Sequence, residues 1–280
     1  MADRIHDLLV IGGGPVGAAT AYWSALAGLD TVIVERKSFP REKTCGDGLT
    51  PRAVHQLVEM GLEKELDRYH RHGGLRAIAH GRTLEMTWPE HELYPSHGYV
   101  VRRCDLDEFV ARRATDAGAE LRQSTEAIRP LELNGTVIAG AIVVDRSSGN
   151  EYELRARHIA VADGANSRFG RMLGTTRNRN FPMGMAIRGY FESPLHDDPW
   201  IESSLDVRDR TGSAMPGYGW IFPVGNGTIN VGIGLLSTFR DYREVNTTHL
   251  FEELTRTLPT YWQIDPEHPI APPIGGRLPM

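Results

Sequence analysis

The chain is poor in several things at once. Two cysteines, Cys45 and Cys104, are too few for a disulfide framework and fit a reducing cytoplasm. Lysine occurs three times among 31 basic residues, the arginines are scattered, and the net charge is −5, so no basic block offers a nucleic-acid partner. The 11 histidines are dispersed and form no cluster of metal-ligand spacing with cysteine. Residues 8–29 are fairly apolar, but Gly12, Gly13, Gly14, Pro15 and Gly17 interrupt them and no basic segment precedes them. Neither a membrane span nor a signal peptide fits that pattern. With 40% hydrophobic and 24% charged residues, the 280 positions suit a soluble globular chain of one large domain or two modest ones.

The periodicities that are present alternate in kind. Residues 7–11 read as a buried strand, the glycines and a helix to about 29 follow, and 31–35 read as a second strand. Such a β-α-β unit implies a parallel sheet. Residues 51–70 have helical spacing, with Val54, Leu57, Val58, Leu62 and Leu66 on one face. Residues 75–101 are strand-like, 105–117 helical, and 136–144 with 151–161 form a hairpin ending in a buried strand. Alternating strands fill 184–234, a helix spans 246–258, and 268–280 are rich in Pro and Gly. The expected architecture is α/β with α+β insertions. Residues 1–74 and 102–175 make a discontinuous nucleotide-binding domain, 75–101 and 176–270 a β-rich substrate domain, and 271–280 the start of a further nucleotide-binding segment.

Three stretches carry candidate chemistry. The first is Gly12-x-Gly14-x-x-Gly17, enclosing Gly13, Pro15 and Val16. The first glycine permits a tight turn, the second admits a pyrophosphate and the third lets helix and strand pack closely. The second strand ends in Glu35, placed to accept from an adenosine ribose. NAD and FAD both use this device. The second stretch is Thr44-Cys45-Gly46-Asp47-Gly48, where the glycines let backbone approach a ligand and Pro51 starts the next helix. In the third, Tyr218, Trp220 and Phe222 alternate along a strand that ends in Pro223, and the returning strand has Asn230, Gly232 and Gly234 on one face. That face reads as nearly bare, open to a flat ring or a long chain; the other reading is a hairpin packed into a core. Arg103-x-x-Leu106-Asp107 and Asp163-Gly164 are readable singly as a helix start and an ordinary turn.

Taken together, the glycine fingerprint with Glu35, then Arg103-x-x-Leu106-Asp107, then Asp163-Gly164-Ala165-Asn166-Ser167, resemble the flavoprotein monooxygenase superfamily. The fold implied is a Rossmann-type FAD-binding fold of the hydroxybenzoate-hydroxylase kind with an interleaved β-rich substrate domain. Within it, "FPREKTCGDGLTPRAV" and Tyr218-x-Trp220-x-Phe222-Pro223 followed by Gly232-x-Gly234 resemble the geranylgeranyl reductase family, nearest its actinobacterial menaquinone-reducing branch. The resemblance implies FAD, held by the residues of 12–17, Glu35, Arg36, Thr44, Cys45, Gly46, Asp47, Gly48, Arg103 near the ribityl–phosphate region, Ala127 near the adenine, Asp163 and Gly164. It implies that Tyr218, Trp220, Phe222, Pro223, Gly232 and Gly234 meet a polyprenyl substrate such as menaquinone. It also makes Cys45 the candidate flavin-proximal thiol, as proton donor or as a small residue packed beside the ring.

The implied reaction saturates a prenyl double bond. An isolated alkene is a poor hydride acceptor, so positioning and exclusion of water have to do most of the work, and a thiol of ordinary pKa near 8.5 can give up the proton. An aromatic monooxygenase shares the flavin motifs but gives no reason for the Tyr218 strand, and a halogenase would call for Trp-x-Trp-x-Ile-Pro. The family continues for roughly a third more length, so the sequence also reads as C-terminally truncated, with weak or absent FAD retention, and a non-catalytic FAD- or lipid-binding fragment stays open. No separate motif marks an electron donor. A cytoplasmic chain, peripheral on the inner face of the membrane, is the expected location.

Overall fold

A computed structural model of the chain describes residues 4–135, 137–178, 180–238 and 242–279. Its elements are, in chain order, β1 (Ile5–Ile11), α1 (Pro15–Leu26), β2 (Thr31–Val34), β3 (Gly48–Leu49), α2 (Pro51–Glu59), α3 (Glu63–Leu66), β4 (His70–His72), β5 (Gly74–Ala79) and β6 (Arg82–Thr87). Next come β7 (Gly98–Val100), α4 (Arg103–Asp116), β8 (Glu120–Arg122), β9 (Thr125–Leu133), β10 (Val137–Asp145), β11 (Glu151–Val161) and α5 (Arg168–Met172). The last are β12 (Met183–Glu192), β13 (Trp200–Ser204), β14 (Gly217–Pro223), β15 (Thr228–Leu236), α6 (Thr247–Thr257) and β16 (Ile274–Pro279). Two compact units divide them: residues up to Glu42 with Cys104–Asn178, and Lys43–Arg103 with the chain from 179 onward.

The first unit is built on a six-stranded sheet of order β8-β2-β1-β11-β10-β9. The four strands β8, β2, β1 and β11 run parallel, while β10 and β9 are antiparallel. The apolar run Leu8–Ile11 is buried between two parallel neighbours, as a continuous hydrophobic strand should be. Leu9, Ile11, Val32, Val34, Ala141, Leu154 and Phe169 share its core. Thr136, the first residue of the expected hairpin, lies outside the described residues.

The second unit holds a seven-stranded sheet of order β16-β12-β15-β14-β13-β5-β6 and a three-stranded sheet of order β3-β7-β4. Helix α6 starts at Asn246, whose Oδ1 accepts from the Thr248 and His249 amides. Its apolar stripe, Leu250, Phe251 and Leu254, packs in one core with Ile221, Ile229, Val231, Ile233 and the fully buried Trp262.

Three expectations change here. Residues 43–74 pack in the second unit, not with the nucleotide-binding part, because β3 and β4 both pair with β7 and the Asp47 side chain bonds to Tyr190 and Asn230. Residues 51–70 are not one helix: α2 and α3 are separate, Val58 is 36% exposed rather than on a buried face, and His70 already belongs to a strand. Ile274–Pro279 belongs to the second unit rather than to the nucleotide-binding part. It is a strand that pairs antiparallel with β12 at the edge of the β-rich sheet. The two glycines there do not prevent pairing, since an edge strand needs only its backbone.

Burial in β4 has a consequence for pH. His72 has no exposed surface; its Nδ1 accepts from Trp88 Nε1–H at 3.2 Å and its Nε2 lies 3.3 Å from the Leu49 carbonyl oxygen. Indole only donates and a carbonyl only accepts, so the ring is neutral with its proton on Nε2. Burial pushes its pKa down to about 4 from the ordinary 6.5. The unfolded chain therefore takes up this proton first as the pH drops. The stability that His72 contributes is fully present above 6.5 and is lost as pH falls through the folded value. The expected loss over that interval is about 3 kcal/mol. Urea denaturation of the wild type and of His72→Gln at pH 7 and pH 4.5 checks it. The variant is less stable at pH 7, and the gap between the two narrows toward acid.

Candidate functional site

In the first unit the glycine turn joins β1 to α1. Gly12 has φ +101°, the left-handed region, and its amide donates to Val34 O at 2.9 Å. Gly14 caps the helix and Pro15 occupies its first position, where the missing N–H costs nothing. The free amides of the first turn and the helix dipole give this point its affinity for anions. Pro15 and Gly14 are half-buried and Val16 is 71% exposed, so the turn is accessible.

Glu35 follows β2 directly and is buried. Its Oε2 accepts from the Gly13 amide at 3.0 Å and lies 3.5 Å from Arg41 Nη2, while Oε1 accepts from the Lys37 amide at 3.0 Å. A carboxylate has about four lone-pair sites. Three are engaged by the protein, which leaves an acceptor for a ribose hydroxyl. Glu35 thus has a second task that its spacing did not reveal: it pins the turn. Arg36 is exposed.

Arg41 is the residue that the sequence reading missed. Its side chain is 10% exposed, and Nη1 pairs with the fully buried Asp107 of α4 at 3.0 Å. Its Nε is buried without a hydrogen-bond partner among the described residues. A Cβ on Gly14 would sit 3.5 Å from Nη2. A guanidinium therefore stands beside the helix N-terminus, anchored by two carboxylates. The available signal was its place within "FPREKTCGDGLTPRAV", three residues before Thr44.

Asp163 follows β11. Its Oδ2 accepts from the Phe169 amide at 3.0 Å, at the start of α5, and its Oδ1 is buried without a partner among the described residues. Ser167 caps the same helix through Gly170 N–H at 2.9 Å. Gly164 is exposed, and Ala127 in β9 is half-buried against the core of the unit. Together, an accessible helix N-terminus, a buried cation with an unused donor, a spare carboxylate acceptor at Glu35 and an unpaired Asp163 oxygen fit a ligand that carries phosphates and several hydroxyls. A dinucleotide is such a ligand.

In the second unit the Cys45 stretch lies on the aromatic strand. Asp47 is buried with φ +68°, and its Oδ1 accepts from the Arg103 amide at 3.2 Å. Its Oδ2 accepts from the Tyr190 hydroxyl and from Asn230 Nδ2–H, the latter at 2.8 Å. Burial pushes the Asp47 carboxyl above the usual range, and these three donors work against that shift. The same burial, with Asp47 beside it, raises the Tyr190 phenol, whose ring centroid is 4.5 Å from the Arg102 guanidinium carbon and 4.3 Å from that of Arg188. The Asp47 side chain is spent within the protein, so only its backbone remains for a ligand. Thr44 donates to Gly275 O at 3.2 Å, and Cys45 is half-buried. The Phe222 ring packs against Gly46 and Gly48.

The face expected to be bare is covered. Trp220 stands opposite Gly232 in the β14–β15 register, and a Cβ on Gly232 would lie 2.1 Å from the indole. The indole therefore fills the space over that glycine, and its Nε1–H donates to Asn230 Oδ1 at 2.9 Å. Gly234 is half-buried, 3.7 Å from the same indole by the same construction. Trp220 and Pro223 are buried, Phe222 is half-buried, and Tyr218 is 47% exposed. Burial, with Cys45 as a second cause, pushes the Tyr218 phenol up. Of the three aromatics, Tyr218 is the one that offers an open face, while Trp220 and Phe222 support the loop.

Residues 6–260 match a protein family described as FAD binding domain. A menaquinone reductase of Mycobacterium tuberculosis is 42% identical over 238 residues, which cover 85% of this chain and 57% of that protein. A digeranylgeranylglycerophospholipid reductase of Methanosphaera stadtmanae is 29% identical over 282 residues, covering 96% of this chain and 65% of that one. The chain thus spans somewhat over half the length of the curated relatives it matches. A geranylgeranyl bacteriochlorophyll reductase-like structure from Thermoplasma acidophilum superimposes with TM-score 0.76 at 23% identity, over 99% of this chain and 66% of that one. That likeness shows the fold.

Proposed function

The chain belongs to the FAD binding domain family, and from that premise we propose that it works as the larger part of an FAD-dependent reductase that saturates a double bond in the isoprenoid chain of menaquinone or a related polyprenyl lipid. The likeness to a menaquinone reductase carries the substrate class. When bound and reduced, FAD supplies the two electrons as a hydride.

The residues divide the remaining work. The α1 N-terminus and Arg41 hold the phosphates, Glu35 accepts from the adenosine ribose, and Asp163 Oδ1 accepts from a hydroxyl. Tyr218 presents an open aromatic face to an apolar chain, where burial of each CH2 contributes about 0.8 kcal/mol. Cys45 holds the proton that the second alkene carbon requires. Among the described residues no helix is long and apolar enough to cross a membrane. A separate two-electron donor completes the stoichiometry.

The test is lipid analysis. A host making unsaturated menaquinone expresses the 280 residues by themselves and, separately, joined to the remainder of the Mycobacterium tuberculosis relative. Mass spectrometry is expected to show a gain of two hydrogens in the quinone pool with the longer protein. No gain from either would overturn the reading. A gain from the longer protein alone makes the present residues the part that needs the remainder.

A further inference from the structure

Asn230, in β15, has no exposed surface, yet its side-chain amide makes three bonds that run in a fixed sense. Oδ1 accepts from Trp220 Nε1–H at 2.9 Å, and Nδ2 donates to Cys45 O at 3.1 Å and to Asp47 Oδ2 at 2.8 Å. Indole only donates, while a carbonyl and a carboxylate only accept, so the amide cannot flip without breaking all three. The two protons of Nδ2 are divided between the first and third residues of the Cys45-Gly46-Asp47 turn. We infer that Asn230 is a positioning residue: its amide couples the Trp220 side chain to the backbone of the Cys45 turn and holds the thiol-bearing segment in one arrangement.

The coupling has a direction. Trp220 has little room of its own, since its indole covers Gly232 and its Nε1 is 3.2 Å from the Cβ position of Gly46. Displacing the indole therefore pulls on Oδ1, and rotation of the amide withdraws Nδ2 from Cys45 O. The clamp gives the aromatic strand a mechanical connection to the thiol. Its bearing on catalysis rests on the reductase reading given above; its existence does not. The charged and titratable groups that face Asn230 and its partners are Asp47, Cys45, Tyr190, Tyr218, Arg188 and Arg102.

The test reads the thiol directly and needs neither cofactor nor lipid, so its failure is distinct from failure of the reductase reading. In a Cys104→Ser background the rate of Cys45 alkylation by iodoacetamide is measured for Asn230 and for Asn230→Ala. Release of the turn is expected to raise the rate on the order of tenfold, the scale of one buried hydrogen-bonded group. Asn230→Asp supplies the readout that general loosening would not. Its new carboxyl faces the Asp47 carboxylate, which repels it when both are ionised and shares a proton with it in acid. The variant's rate, divided by that of Asn230 at the same pH, should exceed one already at pH 5, where the single shared proton leaves Cys45 O without its donor, and climb further as pH rises to 8. Should Asn230→Ala fail to fold, Trp220→Phe removes the bond to Oδ1 and part of the cover over Gly232 while leaving the Asn230 bonds to the turn, and is expected to raise the rate in the same sense, by less. A rate unchanged in Asn230→Ala or Trp220→Phe, or a ratio for Asn230→Asp that does not vary with pH, overturns the inference.

Discussion

Gly17→Ala and Gly14→Ala are expected to fail in different ways, although both replace a fingerprint glycine with the smallest chiral residue. A Cβ on Gly17 would lie 1.8 Å from Gly12 O, and backbone cannot swing aside as a side chain can. The turn would have to open, lifting α1 from β1 in the centre of the parallel sheet. Overpacking of this kind costs about 1–3 kcal/mol where neighbours yield, and more where they are main chain. Gly14 is otherwise placed: its φ is −71°, which any residue adopts, and its nearest neighbour would be Arg41 Nη2 at 3.5 Å, an ordinary contact. Gly14→Ala should thus fold with a urea midpoint close to that of the wild type. Its methyl group, however, stands where a phosphate must approach the first-turn amides, so ADP affinity should drop on the order of tenfold or more, as for loss of a charge-assisted bond. Urea denaturation and ADP titration by calorimetry separate the two outcomes. Equal stability losses would show that the division of labour between the glycines is wrong.

What could be read in advance follows from the range of the interactions. The β1-α1-β2 unit was legible because each part is local: an apolar run, three glycines at fixed spacing and an acid at the end of the next strand. The β14–β15 hairpin was legible for the same reason, from the alternation of Tyr218, Trp220 and Phe222 and the returning Asn230, Gly232 and Gly234. The packing over that hairpin was not. Whether Gly232 faces open space or an indole depends on the register that sets Trp220 opposite it, and a one-residue slip would reverse the answer. The membership of residues 43–74 in the second unit was hidden too, since it rests on contacts such as Asp47 with Tyr190, 143 positions apart. Strand β9 escaped notice because its nine residues carry two glutamates, an arginine and a proline, and only Thr125 is fully buried. For Arg41, the pairing with Asp107 joins a loop to a helix 66 positions later.

Arg41→Ala is expected to weaken both the fold and the recognition of phosphate, and the two effects can be taken apart. The guanidinium neutralises Asp107, with no exposed side-chain surface, and Glu35, at 8%. Removing one partner of a buried ion pair leaves charge without its counter-charge and costs about 3–5 kcal/mol. A variant of this kind would be read as merely unstable unless ligand discrimination were measured as well. Among the described residues Arg41 Nε is buried without a partner, and Nη2 stands beside the helix N-terminus. If those donors meet phosphate, the loss must grow with the number of phosphates on the ligand. Titration by ligand-observed NMR with adenosine, AMP and ADP should show adenosine little affected and ADP weakened on the order of tenfold or more. Arg41→Lys sharpens the test: it keeps a charge near Asp107 but not the planar fork, so it should recover more of the stability than of the ADP affinity. An equal loss for all three ligands would make Arg41 a brace for Glu35 and Asp107 and nothing more.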